Sequence, residues 1–79
     1  MTANEQHEIA SIKAFFEDRN RALLLGEQDG WWEALFPVKG YPSAPPFATG
    51  RTPIEAARNA LMLWYDRPDL GAHEAPHGV

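Results

Sequence analysis

Apolar positions along the chain form two helical stripes separated by a short alternating segment. The first stripe, Ile9, Ile12, Phe16 and Leu23, has intervals of three, four and seven, which puts all four residues on one face of a helix. The opposite face carries Glu8, Glu17, Asp18 and Arg21, with Glu17 four residues before Arg21, the favourable order for an ion pair across one turn. Thr2-Ala3-Asn4-Glu5 has capping-box spacing, and Gly26 follows Leu23-Leu24-Leu25 where a left-handed C-terminal residue belongs. These signals predict a first helix from Asn4 to Leu25.

Glu27-Gln28-Asp29-Gly30 then reads as a turn, because Asp-Gly offers a side-chain acceptor followed by a residue at ease in the left-handed region. From Trp31 to Phe36, Trp32, Ala34 and Phe36 alternate with Trp31, Glu33 and Leu35, as a strand with one buried face requires. A single helical turn is the competing reading. Four prolines and two glycines between Pro37 and Gly50 exclude a helix there and leave Phe47-Ala48-Thr49 as a second, edge strand, paired with the first through a long connection.

The second helical stripe begins with three start signals: Thr52 as N-cap, Pro53 at the first helical position and Glu55 at the third to close a capping box. Ile54, Ala57, Leu61 and Trp64 form its core stripe, Pro68 and Gly71 stop it near Asp66, and small Ala56, Ala57 and Ala60 permit close approach to a sheet or to the first helix. The expected architecture is therefore α+β, one small domain over residues 1–68 with a helix, a two-stranded antiparallel sheet and a helix (αββα). Residues 69–79 show no periodicity and read as a mobile tail.

Composition narrows the function classes. Seventy-nine residues hold one core at most, burying about 60% of the unfolded chain's surface, and 44% apolar with 23% charged residues is an ordinary globular balance. The chain has no cysteine, which excludes a disulfide framework and thiolate metal ligands and suits a reducing cytosol. No apolar run approaches the roughly 20 residues of a membrane span, and no signal peptide is read at the N-terminus. The net charge is −4; through Phe36 there are seven acidic and three basic residues, so the first half carries the imbalance. That surface repels phosphate backbones and argues against direct nucleic-acid binding, while making a protein partner with a basic surface somewhat more attractive; mild acidity that simply aids solubility is the stronger competing reading.

Candidate chemistry is sparse. His73-Glu74-Ala75-Pro76-His77 matches the letters of a zinc hydrolase motif, but that chemistry needs both histidines on one helix face, and Pro76 forbids a continuous helix there. Ser11 and Ser43 have no neighbouring histidine and acid in sequence, and Asp29 with Glu33 reads as a solvated face before it reads as an acid–base pair. Gly50-Arg51-Thr52 sets backbone N–H groups and one arginine before a helix, as an anion site does, yet Glu55 opposes one; Pro42-Ser43-Ala44-Pro45 is a weak proline motif, better read as a loop packed by Tyr41. No catalytic residue, metal ligand or cofactor is assigned, and the chain is read as a non-enzyme. Tandem Trp31-Trp32 on a strand must point to opposite faces, so one of them is expected to be exposed and available as an interface anchor.

The stretch from Gly30 to Leu63, with its Trp31-Trp32 strand, a short second strand and Gly50-Arg51-Thr52-Pro53-Ile54-Glu55-Ala56-Ala57, resembles small phage and prophage accessory proteins of the ABA-sandwich kind. The resemblance covers less than half the chain, which departs from the pattern in its proline-rich Pro37 to Gly50 connection. It implies a protein acting in a host bacterial cytoplasm by blocking a host machine, as anti-CRISPR and other anti-defence inhibitors do. The expected partner-binding residues are Glu17, Asp18, Asp29, Trp31, Trp32, Glu33 and Tyr41. The alternative is a self-associating structural protein in which the same aromatics form a homodimer seam; a zinc-dependent hydrolase using His73, Glu74 and His77 is the third reading.

Overall fold

The computed structural model describes residues 1–40 and 44–72. Six elements follow in order: α1 (Ala3–Glu17), β1 (Leu24–Gln28), β2 (Trp31–Leu35), β3 (Phe47–Gly50), α2 (Pro53–Asp66) and α3 (Pro68–Ala72). The strands form one antiparallel sheet in the order β1-β2-β3. The protein is α+β as expected, with three strands in place of two and the order αβββαα.

The extra strand takes Leu24 and Leu25 from the end of the expected first helix, then Gly26, and Glu27 and Gln28 from the expected turn, which shortens to Asp29-Gly30; the helix ends eight residues earlier than its periodicity implied. Asn20 adopts a left-handed φ of 61°, the Asn20 N–H donates to Glu17 O at 3.1 Å and the Arg21 N–H donates to Phe16 O at 2.9 Å. That pair of bonds is a Schellman closure, with asparagine where glycine usually stands. Gly26, expected in that role, sits instead in the middle of β1 opposite Glu33. Leu23 remains in the core, but it reaches it from the connection after α1.

The other end of α1 matches its sequence signal. The Thr2 hydroxyl accepts from Glu5 N at 3.1 Å and the Glu5 carboxylate accepts from Thr2 N at 3.0 Å, a complete capping box. At α2, Thr52 accepts from Glu55 N at 3.2 Å as expected, but the Glu55 carboxylate takes the N–H of Arg51 rather than that of the cap, at 2.9 Å. Asp29 (φ 50°) and Gly30 (φ 83°) close the β1–β2 hairpin with both central residues left-handed, the turn whose twist suits a two-residue hairpin.

The helices form one layer and the sheet the other. Buried Ala56, Ala57 and Ala60 let α2 lie close over the sheet, and the packing is tightest at Gly50, where a Cβ would come within 2.5 Å of Ala56 N. Asn59 donates to Thr49 O at 2.8 Å along the same seam. On the other side of α2, Ile9, Ile12 and Phe16 of α1 complete the core, and the Phe16 ring stacks at 4.8 Å on Phe36 and edge-on at 5.8 Å to Trp64. The Glu8 carboxylate accepts two hydrogen bonds from Arg58 on α2, at 2.6 and 2.8 Å.

Arg21 overturns another expectation. It does not pair with Glu17 on a solvated helix face; Glu17 pairs with Lys39, and Arg21 is 1% exposed. Its guanidinium lies against the rings of Trp64 (5.1 Å) and Phe36 (5.7 Å), and it donates to Phe36 O at 2.8 Å and to Leu70 O. Buried cations persist where donors find acceptors and the charge meets aromatic faces, and both conditions are met here. The Leu70 bond also explains α3: the first residues of the expected tail, from Asp69, form a short helix whose Leu70 packs on the core.

Candidate functional site

Cross-strand register places the outward side chains of the sheet in a three-by-three grid. The first row is Leu24, Leu35 and Phe47; the second is Gly26, Glu33 and Thr49; the third is Gln28 and Trp31, continued by Arg51 just beyond β3. The inward positions Leu25, Trp32, Ala34 and Ala48 pack on the core beneath α2. Among the described residues no element covers the outward face, because α2 lies on the inner side and α1 and α3 pack on α2.

The open face is apolar at its ends. Leu24 is 53% exposed, Phe47 54% and Trp31 48%, and Leu35 lies half-buried between its neighbours. The Arg51 guanidinium stands 5.3 Å from the Trp31 ring centroid, a cation–π contact that holds the indole at the edge of the face. The middle row is different. Gly26 has nothing within 4 Å of where a Cβ would project, so Glu33 stands beside an open notch on the β1 side with short Thr49 on its other side. Among the described residues no cation or hydrogen-bond donor reaches that carboxylate.

The candidate residues read from the sequence do not share one surface. Trp31 and Glu33 face outward together, and Asp29 sits in the hairpin turn at the Trp31 end of the sheet. Trp32 points the opposite way, as alternation requires, and packs on the core. Glu17 and Asp18 end α1 in the other layer, where Glu17 holds Lys39 and the Asp18 N–H donates to Ala14 O at 3.0 Å. Tyr41 and Ser43 lie outside the described residues, as do His73, Glu74 and His77. Leu24, Leu35 and Phe47 complete the face but were not singled out as site residues. Their signal was the outward half of the alternation, hidden at Leu24 because that residue was assigned to a helix.

A cleft of about 380 Å³ opens where the N-termini of α1 and α2 meet, lined by Met1, Glu5, Trp32, Thr52, Pro53 and Ile54. Its polar groups serve the caps: the Glu5 carboxylate accepts from Thr2 N and the Thr52 hydroxyl from Glu55 N. The anion position before α2 is occupied by the chain itself, with the Glu55 carboxylate on the Arg51 N–H. Among the described residues no group of three or more His, Asp or Glu side chains comes together as a metal site needs, and no helix is long and apolar enough to cross a membrane.

Perturbed acidities fall on surface ion pairs away from the open face. Hydrogen bonds from Arg58, aided by its charge and opposed by partial desolvation, hold Glu8 below the usual glutamate range. Arg58 is raised by the same contact, and Arg67 is raised by its hydrogen bonds to Asp69 at 2.9 and 3.0 Å. Comparison with protein-family models, curated proteins and solved structures finds no significant match to this chain.

Proposed function

We propose that this chain is a non-enzymatic protein-binding module whose contact surface is the open face of its sheet. The observation that carries the reading is the outward row of Leu24, Leu35 and Phe47, exposed at both ends and in register across all three strands, with Trp31 two positions along β2 from Glu33. Large apolar side chains grouped on one face, away from the core, mark interaction surfaces, and aromatic residues are the usual anchors. The capping roles of the polar groups lining the N-terminal cleft support a binder over a catalyst. The proposed contact surface retains Asp29, Trp31 and Glu33 and leaves out Glu17, Asp18 and Trp32.

The resemblance of Gly30 to Leu63 to small phage accessory proteins extends the proposal: the module blocks a host bacterial protein in the cytoplasm, in the manner of anti-defence inhibitors. The test compares wild type with the double variant L24S/F47S as bait in a bacterial lysate. A specific captured protein lost on double substitution, at unchanged thermal stability, supports the reading. Equal capture by both baits contradicts it.

A further inference from the structure

The middle row of the grid says more about the partner, given that the open face is the binding surface. Successive outward positions along β2 are about 7 Å apart, so Leu35 and Trp31 form two apolar ridges about 14 Å apart with the Glu33 carboxylate midway between them. Gly26 removes the wall on the β1 side and Thr49 offers only a short side chain on the β3 side, which leaves a row across the strands where Glu33 carries the one long side chain.

A second copy of the chain fits this row poorly. In a face-to-face dimer with its two-fold axis through the centre of β2, Glu33 meets Glu33, because such an interface repeats one patch on both partners. Like charges set together at an interface centre disfavour that partner. Charge complementarity instead calls for one cation there, with apolar groups on either side.

We propose that the row Gly26, Glu33, Thr49 receives an arginine or lysine side chain of a protein partner, with its stem between the Leu35 and Trp31 ridges and its head on the Glu33 carboxylate. Glu33 is then the specificity-determining residue of the face. The complementary partner sequence is a basic residue flanked by apolar ones at about 7 Å, the i, i+2, i+4 spacing of an extended segment.

The experiment titrates the isotope-labelled protein with three capped peptides, Leu-Ser-X-Ser-Leu with X as Arg, Gln or Glu, following the backbone amide signals. Binding of the Arg peptide is expected to shift Gly26, Glu33 and Thr49, and to be about fivefold tighter than the Gln peptide, as one partly exposed ion pair allows. E33Q is expected to remove that preference, and G26L to weaken the Arg peptide by filling the notch while leaving the melting temperature unchanged. Equal binding of all three peptides on the open face overturns the cation site but leaves the face as a binding surface. No shift of outward-face amides with any peptide overturns both.

Discussion

Leu35 stands directly opposite Phe47 across the β2–β3 ladder, and on its other side opposite Leu24 of β1. The three side chains form an apolar row on the face of the sheet away from the helices, two residues along β2 from Glu33 in the next outward row. Such a row is ordinary when another layer covers it and a source of adhesion when none does. The proposed role of Glu33 carries a second expectation that does not depend on any partner: a carboxylate at the centre of the patch is expected to oppose stacking of one copy on another.

E33L is expected to dimerise at concentrations where the wild type stays monomeric, because the substitution removes the like-charge contact and joins the two ends of the apolar face. Sedimentation at about 0.1 to 1 mM reads the difference. A wild-type chain already dimeric through this face contradicts the account.

Arg21 is expected to be the most costly polar residue to replace. R21M keeps much of the volume but leaves Phe36 O and Leu70 O without their guanidinium donor. The loss is expected to reach about 3 kcal/mol, from unmet buried acceptors and lost stacking. Thermal unfolding checks the value, and the Leu70 amide should lose hydrogen-exchange protection with it.

Gly50 and Gly26 are expected to separate cleanly on substitution by alanine. At Gly50 the new Cβ meets the α2 backbone, 2.5 Å from Ala56 N and 2.9 Å from Glu55 C, so helix and strand must part. A cost of about 1 to 3 kcal/mol follows for such overpacking. At Gly26 the Cβ enters open space, and the change should lie within about 0.5 kcal/mol. Denaturant titration of both variants measures the contrast.

The helices were legible in the sequence to different degrees. Thr52-Pro53 and Thr2 with Glu5 were read correctly as starts, because caps depend on local hydrogen bonds that a few residues specify. The end of α1 and the existence of β1 were missed for one reason. Leu23-Leu24-Leu25 satisfies a helical stripe and a strand equally well, and only the left-handed Asn20 decides between them. The same error put Arg21 on the surface, since its burial depends on Phe36, Trp64 and Leu70, all distant in sequence. Alternation in Trp31 to Phe36 separated Trp31, Glu33 and Leu35 from Trp32, Ala34 and Phe36, but which of the two faces is exposed depends on where α2 lies. That no element covers the face among the described residues follows from the packing of α1 on α2, which no local pattern encodes.

The Glu8–Arg58 pair makes a pH prediction. Glu8 is held below its ordinary range in the folded protein, chiefly by hydrogen bonds from Arg58, so its contribution is present above the unfolded-state value and is lost as pH falls through the folded one. Wild type should be slightly more stable than E8Q near neutral pH, and the two should converge under acid conditions. The difference is expected to be small because the pair is exposed. Melting temperatures of both proteins across the carboxylate range provide the check.

The most direct test of the central claim is site-specific photo-crosslinking in a bacterial cytoplasm, with a benzoyl-phenylalanine placed at Phe47 on the open sheet face or at Met62, which is 61% exposed on α2 in the other layer. The account predicts a discrete adduct with another protein from position 47 and none from position 62. An adduct from position 62 alone, or none from position 47, would contradict it.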